Sequence, residues 1–102
     1  MTISKKELSA VDAMYFDVVE ATPFYILLCS KNTGHYWHLL ECDMNGHTSY
    51  RIYHKHKAQD SFHAQTSRPS IEAACRYIQG HDAFHIWRKK KKAQNRKKSM
   101  KT

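Results

Sequence analysis

Nine of the last fifteen residues are basic and none is acidic: Arg88, Lys89, Lys90, Lys91, Lys92, Arg96, Lys97, Lys98 and Lys101. The chemistry open to such a run is electrostatic. Cations meeting a polyphosphate displace condensed counterions, and about 6–10 phosphate contacts lose ~10³–10⁵ in affinity between ~50 and ~200 mM salt. The expected partner is therefore a nucleic acid, RNA or DNA, ahead of an acidic membrane surface or protein. The block Arg88 to Lys92 also has the composition of a nuclear import signal.

A second group supplies rings and cations together. Tyr36, His38 and Tyr53 alternate with Arg51 and Lys55 in a pattern that places them on one face of a sheet, and aromatic rings interleaved with cations are what stacking on unpaired bases requires. The same residues are ordinary on a solvated antiparallel face, where cross-strand aromatic contacts stabilise the sheet without a ligand. Histidines form a third group. His54 and His56 share a face at i, i+2, and the register argued below brings His35 opposite His56. Zinc asks for four ligands, or three and a water with outer hydrogen-bond acceptors, and spacing assures no fourth, so neither a metal nor another cofactor is assigned.

Other chemistries are poorly supplied. Cys29, Cys42 and Cys75 are odd in number and lack C-x-x-C spacing, which argues against a disulfide framework or zinc ribbon and for reduced thiols. Cys42 and His38 lie four residues apart on one strand face, about 13 Å, too far to hydrogen-bond. Glu41 and Asp43 approach a hairpin tip, where water keeps both ionised. Three glycines make no G-x-G-x-x-G or Walker loop. The expectation is a protein that is not an enzyme.

Several elements must position these groups. Ser4-Lys5-Lys6-Glu7 fits a capping box, and Leu8, Val11, Met14 or Tyr15, and Val18 recur at helical steps, predicting a helix to about Val19 that Thr22-Pro23 ends. Phe24 to Ser30 reads as a strand closed by the turn Lys31-Asn32-Thr33-Gly34. His35 to Asp43 and His47 to Lys57 form a hairpin about Asn45-Gly46, since a type I′ turn needs positive φ at both central positions. That turn sets Met44 opposite His47, Leu40 opposite Arg51, Trp37 opposite His54 and His35 opposite His56. Trp37, Leu39, Tyr50 and Ile52, with the three histidines at the far end, then make the core face. Residues 58 to 67 are polar and aperiodic and read as a loop. Ile71, Ala74, Cys75 and Ile78 define a second helix stopped by Gly80, which leaves His81 and His85 outside any helical pair. Ala83 to Trp87 reads as a short final strand.

The fold class expected is α+β: a two-layer sandwich in which two helices cover one face of a three- to four-stranded antiparallel sheet. The order α-β-β-β-α resembles that of the double-stranded-RNA-binding domain over roughly residues 4 to 80. Such domains grip the RNA backbone through a basic run at the start of the second helix, where this chain has only Arg68 and Arg76.

The whole chain bounds what these parts can do. Its 102 residues carry 17 basic and 9 acidic side chains, with 41% apolar and 12% aromatic residues, enough for one folded domain. Residues 1–87 hold 8 of the basic side chains and all the acids, a balance of −1, whereas 88–102 is +9. The division expected is a small domain over 1–87 and a basic tail over 88–102 that is disordered when free, because dense like charge repels and there is little apolar surface to bury. The longest apolar run, Phe24 to Cys29, is too short to span a membrane, and the first residues lack a signal-peptide core, so a cytoplasmic chain is expected. The function expected is non-enzymatic nucleic-acid binding through the tail, helped by Tyr36, Arg51, Tyr53 and Lys55. The alternative is a protein-interaction module with an incidental tail.

Overall fold

The Asn45-Gly46 turn is where local sequence dictates structure most directly. In a computed structural model describing residues 3–100, with side chains described through residue 93, Asn45 and Gly46 have φ of 55° and 83°. The Gly46 N–H donates to the Asp43 carboxylate at 3.0 Å. The turn joins β3 (Tyr36–Met44) to β4 (His47–Lys55), and the pairs Met44↔His47, Leu40↔Arg51 and Trp37↔His54 form as the turn requires.

The sheet is larger than the sequence pattern indicates. Besides β3 and β4 it contains β1 (Phe16–Ala21), β2 (Tyr25–Ser30) and β5 (His63–Arg68), with neighbours antiparallel in the order β1-β2-β3-β4-β5. A four-residue helix, α1 (Lys5–Leu8), precedes it and a 30-residue helix, α2 (Ile71–Met100), follows it. The protein is thus α+β with one five-stranded antiparallel sheet. The element order α-β-β-β-β-β-α ends the likeness in order to the double-stranded-RNA-binding domain. No helix among the described residues is long and apolar enough to cross a membrane.

The expected first helix stops early. Ser4 caps it by accepting from the Glu7 N–H at 3.1 Å, but Asp12 then accepts from the Met14 N–H at 2.9 Å, a local bond that turns the chain out of the helix. Leu8, Val11 and Tyr15 still pack against the core, from a turn rather than one helical stripe. The aromatic and β-branched Phe16, Val18 and Val19 take the extended form they favour. Residues 58 to 67, expected as loop, contain most of β5. That edge strand is almost wholly polar, so it carries no apolar alternation, and a polar edge resists pairing with other chains.

The core closes between the sheet and α2. Phe16, Ile26, Leu28, Trp37, Leu39, Tyr50 and Ile52 meet Ile71, Ala74, Cys75 and Ile78; of the side chains expected on the core face of the hairpin, Trp37, Leu39, Tyr50, Ile52, His35 and His54 are buried and His56 is exposed. Gly80 does not end α2, and Ala83 to Trp87 is helical rather than a strand. The helix passes Trp87 unbroken, and its backbone is helical to Met100. Gly80 sits in the helix interior with nothing within 4 Å of where a Cβ would lie. Gly80→Ala should therefore stabilise the protein by about 0.5–1 kcal/mol, a rise of a few degrees in Tm. A lower Tm on thermal unfolding would mean that α2 is not continuous there.

Candidate functional site

Six imidazoles gather where β3, β4, β5 and α2 meet. The hairpin register sets His35 and His56 one step beyond the Tyr36↔Lys55 pair, and their rings stack with centroids 4.2 Å apart. His54 lies opposite Trp37 and stacks on its indole at 4.1 Å. β5 places His63 opposite His54, with 5.2 Å between rings. Because α2 continues through Gly80, His81 and His85 are one turn apart on it. The His81 ring stands 5.0 Å from His54 and the His85 ring 4.6 Å from His35. The expectation that these two form no helical pair is thus overturned by the uninterrupted helix.

At the centre, His35 Nδ1 and His54 Nε2 are 3.1 Å apart, so one ring donates its N–H to the other. Ligand nitrogens of His35, His54 and His56 all lie within 4.8 Å of one another. His35 and His54 are buried and His56 is exposed. Burial, then the neighbouring imidazoles, pushes His35 down to about 4 and His54 down to about 3. His85 is lowered by burial and by the Lys89 ammonium. The two buried rings are therefore neutral at pH 7 and retain lone pairs. Nδ1 of His54 and of His81 has no hydrogen-bond partner among the described residues.

A buried carboxylate fixes the helix above this cluster. Asp82 accepts from Tyr15 Oη at 2.8 Å, Ser30 Oγ at 2.6 Å and Thr33 Oγ1 at 3.1 Å. Ser30 Oγ in turn accepts from Trp37 Nε1 at 3.1 Å. One side chain thus ties α2 to the segment before β1, the end of β2 and the β2–β3 turn. Burial and Asp82 together raise the Tyr15 hydroxyl to about 12.

Thiol chemistry finds little support. Burial pushes Cys75 up to about 11 and, helped by the Asp17 carboxylate, raises Cys29 as well, so neither is a thiolate at pH 7. The Cys42 thiol donates to the Ser49 carbonyl.

The basic residues occupy several sides of α2. Arg88, Lys89 and Lys92 line one recess with His56 and His85. Lys90 faces another with Tyr15, Asn32 and Trp87, and Lys91 Nζ stands 5.8 Å over the Trp87 ring. Phe84 and Trp87 are exposed and stacked at 5.9 Å, with the Arg88 guanidinium 5.9 Å from Phe84. Arg96, Lys97 and Lys98 lie on the helical backbone, but their side chains fall outside the described residues, as does all of Lys101.

Tyr36, Arg51, Tyr53 and Lys55 lie on the opposite sheet face, away from α2. Lys55 Nζ stands 4.4 Å over Phe62 and 5.3 Å over Tyr36, and it donates to the Ala58 carbonyl at 2.8 Å. His38 packs near Tyr25, Tyr53 and Phe62. Tyr36, Tyr53 and Lys55 therefore join one half-buried aromatic group, while Arg51 is exposed. The sheet separates this group from the helix cations, so the two sets do not form one surface. Sequence reasoning missed Phe62, because it lies in the loop before β5, and the ring pair Phe84 and Trp87, because a strand was expected there. No known family model, curated protein or solved structure matches this chain.

Proposed function

We propose that the protein is a non-enzymatic, cytoplasmic nucleic-acid-binding protein of two-layer form, in which a domain over 1–87 carries a basic extension over 88–102 that contacts RNA or DNA phosphates. The observation behind this reading is charge on a helix: along α2 from Ala83 to Met100 there is no acidic residue and there are eight basic ones. Like charges one turn apart, such as Arg88 and Lys92, oppose helix formation, while cations near a helix C-terminus are favoured by the peptide dipoles. A polyanion would remove the repulsion and keep the favourable dipole interaction. Cations on several sides suit a helix lying between two phosphate backbones, and exposed Phe84 and Trp87 add rings against which bases can stack. Tyr36, Arg51, Tyr53 and Lys55 would contribute only to a ligand long enough to reach the other sheet face.

The test uses the full chain with Arg88, Lys89, Lys90, Lys91 and Lys92 all changed to glutamine, titrated against a labelled oligonucleotide at several salt concentrations. Affinity at low salt should fall about 10–100-fold, and the slope of log K against log salt should flatten by up to about 4.5, at ~0.9 for each phosphate no longer neutralised. Equal affinity and slope in both proteins would rule the reading out.

A protein-interaction module is the competing reading, and β1 favours it. This edge strand exposes Val18 and Val19, offering a backbone rim to which another chain can add a strand. A partner retained after nuclease digestion would select this reading over the first.

A further inference from the structure

We propose that His35, His54 and His56 form a site for one divalent transition-metal ion of borderline softness, zinc foremost, at the sheet end covered by α2. The inference is independent of nucleic-acid binding and rests on how the nitrogens converge. Zinc–imidazole bonds of ~2.0–2.1 Å put two tetrahedral ligand nitrogens about 3.3 Å apart. His35 Nδ1 and His54 Nε2 stand at 3.1 Å, already near that spacing. One ligand nitrogen from each of the three rings lies within 4.8 Å of the others, and His56, the exposed member, completes the set by turning its ring out of the stack on His35.

Three features fit a metal better than a bare pair of hydrogen-bonded rings. Two of the three rings are buried and packed on their sides, His54 by stacking on Trp37 and His35 between the rings of His54 at 5.0 Å and His85 at 4.6 Å. His85, with its ring 4.6 Å from His35 and 5.5 Å from His56, borders two of the three ligands, and it or a water would fill the fourth position. The donors are all neutral nitrogens, a set that suits zinc, nickel, cobalt and copper and is poor for magnesium or calcium, which prefer oxygen. The ion would retain its charge beside Arg88 and Lys89, so its binding relies on nitrogen coordination rather than on acidic groups.

The test is titration of the full, chelator-stripped chain with zinc by calorimetry, and with cobalt(II), whose visible spectrum distinguishes tetrahedral from octahedral coordination. One ion per chain should bind with Kd tighter than about 10⁻⁵ M. His56→Gln, at an exposed position where the fold should tolerate change, should weaken it by more than about tenfold, since even removing an outer partner of a ligand costs ~10–100-fold. His47→Gln, at the hairpin tip, should leave binding unchanged. The proposal is overturned by weak binding of several ions, by an octahedral cobalt spectrum that His56→Gln does not alter, or by equal affinity in His56→Gln and the unaltered chain.

Discussion

Replacing Asp82 with alanine should lower the stability of the protein by about 3–5 kcal/mol, most of what a domain of this size possesses. The carboxylate is fully buried and accepts three hydroxyl hydrogen bonds, from Tyr15, Ser30 and Thr33. Alanine removes all three hydrogen bonds at once. Ser30 is itself buried and holds the indole N–H of Trp37, so the disturbance extends to the largest side chain in the core. A buried donor left without a partner costs about 1–3 kcal/mol, and Tyr15, being half-buried and also the acceptor for Asn32 Nδ2, recovers part of its share through water. Asp82→Asn keeps one acceptor oxygen and should cost about half as much. Glu72→Ala, which removes only an exposed i,i+4 pair with Arg76, should stay within about 0.5 kcal/mol. Urea unfolding followed by circular dichroism measures all three, and a loss below about 1 kcal/mol for Asp82→Ala would show that the network does not hold α2 to the sheet.

The same residue explains why the sequence is readable in its middle and unreadable toward its ends. From Tyr25 to Lys55 the signals are local. Asn45-Gly46 sets the register, alternation separates Trp37 and Leu39 from Tyr36 and His38, and the register alone predicts that His35, His54 and His56 come together. Elsewhere the deciding contacts are distant. Gly80 is a stop signal only if nothing beyond it is anchored, and Asp82, two residues later, is anchored to Tyr15, 67 residues away. At Val11, Tyr15 and Val18 the spacing obeys a helical period, yet Asp12 and the β-branched pair Val18-Val19 favour a turn and a strand. In β5 the alternation that would identify a strand is absent, because an edge strand can be polar throughout. The outer half of the histidine cluster depends on these elements. His63 arrives with β5, and His81 and His85 arrive with the continuation of α2, so only the three hairpin histidines could be placed in advance.

Stripped of metal by a chelator, the protein should lose stability on mild acidification, well before its carboxylates titrate. His35 and His54 are held down to about 4 and about 3, against ~6.5 for an imidazole in the unfolded chain. A folded-state value below the unfolded one means that the unfolded chain takes up the proton first. The stabilisation is then complete above pH ~6.5 and is lost as pH falls from there towards 4 at His35 and 3 at His54. The facing groups act mostly in one direction: His56, His81 and His85 all oppose a charge on His35, as His35, His56, His63 and His81 do at His54. The Asp82 carboxylate works against this trend at His35 but does not reverse it. Between pH 7 and pH 5 each ring should remove on the order of 2 kcal/mol. At pH 5 both rings are still neutral in the folded state, so the two losses add. His54→Phe separates this effect from general acid sensitivity: it retains an aromatic ring on Trp37 while removing one proton site, so the decline between pH 7 and 5 should shrink by about half, whatever the variant's stability at pH 7. Stability that stays level down to pH 5, or an equal decline in His54→Phe, would mean that acid reaches these rings without opening the fold, and that the cluster is hydrated rather than enclosed by α2.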